Sequence, residues 1–364
     1  MNAQPWPEAD ASVLAPVAEH EDLRKVMRDI LQTHASHEQV RSSVETPQGY
    51  SADLWTLLNE EMSVSSLAVP EDRGGLGFGV SELAVVLEEG GRALLPEPLL
   101  LSGVLGARAV LAAPAGNVPA DLVSGVLAGT LVTSVTLGAT TLTVEDGTVS
   151  GRVDRVLYGA TADLLVVPAE TCLYLVDLRH AAVRTPLEVL DLTRRQARLE
   201  LDSAPAYLIA GPGDLEAVRG ELGALSAIGL AAEHVGMIDV MLELTRKYAG
   251  QRHQFGRPLS SFQVIKHRLA DLLIDLERAR SAARYAAAVF DQDPAAAALP
   301  AAVAGAICTD AVIKAAAETV QLHGGVGFTW EHAAHFYVRR ALGDEAVFGP
   351  SRTHRARIAE LLGI

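Results

Sequence analysis

A mainly helical chain with a β domain inserted into it is the fold class this sequence predicts, and three observations predict it. Apolar residues recur at helical spacing up to about residue 125. The pattern then switches to strand-like alternation rich in Val, Thr and Leu over residues 126–212. Helical periodicity returns over residues 213–364 and persists to the end. Composition agrees: 49% hydrophobic residues can fill a large core, and only 5% aromatics alongside abundant Ala and Leu favour helix packing through small side chains.

In the first zone, residues 1–125, helices are expected at Glu21–Leu31, Ala52–Met62 and Ser81–Leu94. Between the last two lies the glycine-rich stretch Val69–Gly79, expected to be a turn of mobile backbone, with Ser81 capping the next helix. It lacks the Gly-Lys-Ser/Thr ending of a phosphate loop, and no strand precedes it as the dinucleotide fingerprint requires. In the second zone, strands are expected at 131–137, 140–144, 149–153, 164–167, 173–176 and 197–201. Glu145-Asp146-Gly147-Thr148 supplies a hairpin turn, and the whole reads as a small antiparallel β-barrel or sandwich. In the third zone, long helices are expected at Leu222–Arg252, Gln263–Asp291 and Ala301–His323, the last closed by Gly324, with a shorter one at Arg352–Leu362. Such helices, joined by short connections, imply a bundle.

The net charge of −15 and the absence of a basic block argue against nucleic acid as a partner. Cys172 and Cys308 sit in no metal-binding cluster, so no metal is expected, and both read as small core residues. Residues 1–12 lack a charged segment followed by an apolar one, so no signal peptide is expected. The longest apolar run, Ala295–Cys308, is too short for a bilayer and contains Pro300. A cytoplasmic protein without a membrane span is the expectation.

Two motifs narrow the function. Tyr248-Ala249-Gly250-Gln251-Arg252-His253-Gln254-Phe255-Gly256-Arg257-Pro258 followed by Ser261-Phe262-Gln263 resembles a signature of the acyl-CoA dehydrogenases, and Gln321–Phe328 (QLHGGVGF) resembles the second. The Val69–Gly79 loop is similar to the family's N-terminal region, so the resemblance spans most of the chain in family order. It implies a helical N-domain, a middle β-domain and a C-terminal four-helix bundle. It also implies FAD at a subunit interface, its adenosine-pyrophosphate end held by the neighbouring bundle.

The residues suit that role chemically. Arg252 offers a guanidinium fork for phosphate oxygens, and Gln263 and Gln321 offer neutral amide donors. Gly324 and Gly325 leave room for backbone N–H groups to approach an anion, and Phe255 offers an apolar face to adenosine. Singly, each has a plainer explanation: a solvated helix end, a core aromatic, a helix terminator. Together and in order they point to FAD contact.

Other parts depart from the family. The family's base is a glutamate before a glycine near the C-terminus; Phe348 stands there, before Gly349, and Pro350 replaces a threonine. The position used by a minority of members falls on Ser226. Glu233, seven residues on, is either a relocated base or a structural glutamate, and the second is favoured because structural ion pairs are commoner. Asp344 and Glu345 are expected in a loop. Tyr158 or Thr161 could approach a flavin, but ordinary loop roles are favoured. The pattern resembles the β-type subunits of heteromeric actinobacterial enzymes, in which an α-subunit completes an α2β2 assembly acting on acyl-CoA, including steroid side-chain thioesters, with an electron-transfer protein as acceptor. Two alternatives stay open: a self-sufficient homo-oligomeric dehydrogenase, and a flavin-free scaffold.

Overall fold

The computed structural model describes residues 6, 14, 15, 17–329 and 332–364. The reading of residues 1–12 as lacking a targeting segment lies, residue 6 apart, outside them. The chain divides into two compact units: Met1–Val40, Ala84–Leu95 and Ala227–Ile364 in the first, Arg41–Leu83 and Pro96–Ser226 in the second.

The second unit is built on helix α3 (Ala52–Met62) and a seven-stranded sheet, with α5 (Ala107–Ala112) and α6 (Ala120–Leu127) packed on it. Strand β1 (Thr133–Val135) lies parallel to β4 (Leu164–Ala169), so the set is not antiparallel throughout as expected. β2 (Thr143–Glu145) and β3 (Thr148–Leu157) form the expected hairpin, whose Asp146 and Gly147 both take positive φ, at 45° and 76°. β5 (Cys172–Asp177) pairs with β4 and with the second half of β7 (Gln196–Ala210). The first half of β7 pairs with β3 and β6 (Ala182–Pro186). One long strand thus serves two half-sheets, which is how a sheet folds over on itself. Between α4 (Val80–Ala93) and α5 lies a π-helical stretch, Leu99–Gly106. It packs tightly on β1: a Cβ on Gly106 would meet Thr133 Cβ at 2.8 Å, and the Ser102 hydroxyl accepts from Thr133 N–H at 2.9 Å. The core here is Leu122, Leu164, Val166, Leu173, Leu175 and Ile209, with their neighbours.

The Val69–Gly79 loop is not the mobile turn expected. Backbone bonds Leu76 N–H to Ser66 O (3.1 Å), Gly77 N–H to Val69 O (2.8 Å) and Phe78 N–H to Leu67 O (3.1 Å) fold it onto itself. The following helix, α4 (Val80–Ala93), is capped by Glu82, whose carboxylate accepts from Gly79 N–H at 2.8 Å; Ser81 lies inside the helix instead of capping it.

The first unit is helical: α1 (Ala18–His34), the start of α2 (His37–Glu45), most of α4, most of α7 (Leu215–Gln251), α8 (Gln263–Gln292), α9 (Ala298–His323), α10 (Ala333–Phe348) and α11 (Ser351–Leu362). α9 is central, with α8, α10 and α11 packed on it. Its small residues allow close approach: a Cβ on Gly305 would meet the His354 ring at 2.5 Å. Helix α10 is absent from the sequence reading, because Arg340 and Asp344 occupy buried positions and break its apolar stripe. α7 and α9 are long and apolar enough to cross a membrane by length and composition, which the short-run expectation missed; 72% and 67% of their apolar windows are buried inside the protein.

Where α4 crosses α7, two glycines face backbone. A Cβ on Gly236 would meet Glu88 O at 1.8 Å, and one on Gly91 would meet Glu233 O at 2.1 Å. Gly236→Ala is therefore expected to destabilise by about 3 kcal/mol, because overpacking outweighs the gain of about 1 kcal/mol in helix propensity. A lowered urea midpoint at unchanged slope checks it.

Candidate functional site

Three helix ends of the first unit carry the residues singled out in the sequence. α7 ends at Gln251, and Arg252 leads into a two-stranded hairpin, β8 (His253–Gln254) and β9 (Arg257–Pro258). Its tip is Phe255-Gly256, with φ of 53° and 77°, the signature of a type I′ turn. That turn favours Asn, Asp or Gly; left-handed backbone costs another residue about 1–2 kcal/mol. Phe255 bears this cost while 92% exposed, so it is not the core residue of the plainer reading. Strain and exposure in one aromatic side chain point to a contact outside the chain. The hairpin base is firm: Leu259 N–H donates to Arg252 O at 2.8 Å, and the Arg257 guanidinium lies 4.0 Å over the Phe262 ring.

Gln263 opens α8, exposed, its amide 2.9 Å from His267 Nε2. Gln321 is exposed on the last turn of α9, one turn beyond Glu318, which accepts from Arg268 of α8 at 2.5 Å. Gly324 ends α9 at φ 64° and ψ −146°, but its N–H is bonded to Val320 O and so is not offered to an anion. What Gly324 and Gly325 do offer is room, since an added Cβ at either would meet no atom within 4 Å. Among the described residues no carboxylate pairs with the exposed Arg252.

These ends are tied together. The buried hydroxyls of Thr245 on α7 and Thr319 on α9 lie within hydrogen-bond distance at 3.2 Å, and the Tyr248 ring stacks on His323 at 4.5 Å. The surface thus holds an exposed cation, an exposed aromatic, two amides and an open Gly-Gly turn. That donor set fits a pyrophosphate and the face of an adenine.

The acids lie elsewhere. Phe348 is the last residue of α10, capped by Gly349 at φ 100°. Asp344 and Glu345 are on that helix, not in the expected loop. Asp344 is fully buried, its Oδ2 3.3 Å from His234 Nε2 and 3.8 Å from Arg340 Nε. Glu233 is 6% exposed, at the α4 crossing, and has partners within the fold. Ser226 is half-buried on α7. Tyr158 is buried and donates its hydroxyl to Pro96 O at 3.0 Å, and the Thr161 hydroxyl donates to Tyr158 O at 3.3 Å. Both hydroxyls are therefore engaged inside the second unit. Cys308 is fully buried, and burial pushes its thiol well above the ordinary range. Among the described residues no group of three His, Cys, Asp or Glu could hold a metal ion.

Comparison with known proteins identifies the family. Residues 17–113 match the acyl-CoA dehydrogenase N-terminal domain and residues 222–363 the C-terminal domain. The chain is 36% identical to acyl-CoA dehydrogenase IpdE2 of Mycobacterium tuberculosis, over 91% of this chain and 93% of that one. It superposes on the crystal structure of the ChsE4-ChsE5 complex from Mycobacterium tuberculosis at a TM-score of 0.87 and 30% identity, covering 96% of this chain and 98% of that one. The Tcur3481-Tcur3483 steroid ACAD gives 0.84 and 27%, over 95% and 98%. With both family domains matched and identity sustained over nearly the whole length, the chain belongs to the acyl-CoA dehydrogenase family, whose cofactor is FAD.

Proposed function

We propose that this chain is the cofactor-gripping, base-less subunit of a heteromeric acyl-CoA dehydrogenase, which removes two hydrogens across the α,β bond of an acyl-CoA thioester. One observation carries the reading. The full set of Arg252, Phe255, Gln263, Gln321, Gly324 and Gly325 is exposed on three helix ends of one unit, whereas Asp344 and Glu233 are buried and engaged.

When bound, FAD supplies the hydride acceptor. Arg252 would hold pyrophosphate oxygens through charge-assisted bonds, and Gln263 and Gln321 would add amide donors. Phe255 would cover the adenosine end, and the Gly324-Gly325 turn would let the tail lie close. The α-proton needs a carboxylate in a water-excluded pocket. Phe348 cannot accept it, so the base comes from a homologous α-subunit, consistent with a two-component relative such as the ChsE4-ChsE5 complex. Steroid side-chain thioesters are the proposed substrates, in line with the relative described as a steroid ACAD. Electrons would leave through an electron-transfer protein in the cytoplasm.

Co-expression with a candidate α-subunit, purification of the assembly and counting of FAD per polypeptide test this. One FAD per two chains is expected. One per chain would make the subunit self-sufficient, and none with any partner would make it a scaffold.

A further inference from the structure

The grip depends on the relative placement of two helix ends that lie far apart in sequence. α7 carries Arg252 just past its last turn, and α9 carries the Gly324-Gly325 turn just past its own. Last turns have unpaired carbonyls and fray unless something pins them. Here the pins form a ladder. Its inner rung is the hydroxyl pair Thr245–Thr319, both side chains 0% exposed. One turn outward, the Tyr248 ring lies on the His323 ring at 4.5 Å and 29°. The next residues outward on the two strands of the ladder are Arg252 and the glycines.

His323 is held in this place by several contacts. It is 3% exposed, and its Nδ1 lies 2.7 Å from Thr319 O. A carbonyl only accepts, so Nδ1 bears the proton and the ring plane is fixed by that bond. The His332 ring stands 4.7 Å away, tilted by 59°. Its Nδ1 accepts from Ala334 N–H at 3.2 Å, which leaves the His332 proton on Nε2. The two neighbouring rings therefore carry opposite, compatible tautomers. Gly327 allows the chain to fold back over the first of them: a Cβ there would meet His323 Cβ at 3.0 Å. Burial holds both imidazoles below their ordinary pKa, toward the neutral forms this packing needs.

We infer that His323, stacked on Tyr248, is a positioning residue that sets the Gly324-Gly325 turn against Arg252 and so fixes the affinity for the dinucleotide tail. It touches no reacting atom. The inference rests on the proposed grip, and the two can fail separately.

The test is an FAD titration of the flavin-stripped α2β2 assembly carrying His323→Ala, His323→Phe, Tyr248→Ala or the double alanine variant. The expected result is a loss of about tenfold in FAD affinity for His323→Ala, with wild-type kcat once FAD saturates. Phe retains a stacking ring and should stay within about threefold of wild type. The double variant should be no weaker than the worse single one, as coupled partners require. Phe as weak as Ala, additive losses, or a kcat that stays low at saturating FAD would overturn the positioning role. Arg252→Ala in parallel separates the claims. If it weakens FAD while the His323 variants do not, only the positioning role fails; if none weakens FAD, the grip itself is wrong.

Discussion

Arg252→Ala is expected to weaken FAD binding to the assembly by about 10- to 100-fold without unfolding it. A hydrogen bond to a charged group contributes about 1.5–3 kcal/mol, and tenfold in affinity is about 1.4 kcal/mol. A guanidinium that meets two phosphate oxygens lies toward the upper end of that range. The side chain is exposed and outside the helix proper, so its removal should change folding stability by no more than about 0.5 kcal/mol. Arg252→Lys keeps the charge and loses the fork, and should recover only part of the loss. A fluorescence titration of the stripped complex gives the affinity, and turnover at saturating FAD shows whether chemistry is spared. Full flavin occupancy in the alanine variant at sub-saturating FAD would remove Arg252 from the grip.

The candidate residues could be picked out in the sequence because they fall in two contiguous stretches, and local order preserves local motifs. Helix α3 and the start of α8 also fell where the pattern placed them, since apolar periodicity and flanking residues agree there. What escaped notice depends on distance. Tyr248 and His323 lie inside the two motifs, but their pairing, like that of Thr245 with Thr319, exists only across two helices more than seventy positions apart. Helix α10 was hidden for a related reason: its buried face is partly ionic, and a hydrophobic stripe is what the eye follows. At the start of α4, a serine looked like the cap, but the carboxylate next to it reached the free N–H first. The strain at Phe255 was invisible too, because a phenylalanine gives no warning that its backbone is left-handed.

The ionic face of α10 carries the largest expected effect on folding. Asp344→Ala should destabilise the first unit by about 3–5 kcal/mol, the cost of removing one partner from a buried ion pair. The carboxylate is 0% exposed and serves both His234 and Arg340, while Arg340, 2% exposed, also donates to Leu95 O at 2.9 Å. Losing the acid removes a counter-charge from beside a buried guanidinium, which is costly where water is excluded. Asp344→Asn keeps the volume and removes only the charge, so a nearly equal loss would assign the cost to electrostatics and not to a cavity. Arg340→Met combined with Asp344→Leu removes both charges and should recover most of the stability. Because the chain has two units, protection of α10 amides from hydrogen exchange is a better measure than one global midpoint. The same variants decide a chemical question. If Asp344 were a displaced base in place of the missing glutamate, Asn would leave α10 fully protected and abolish turnover. A well-folded, flavin-loaded, inactive Asp344→Asn assembly would therefore overturn the structural assignment and return the proton acceptor to this chain.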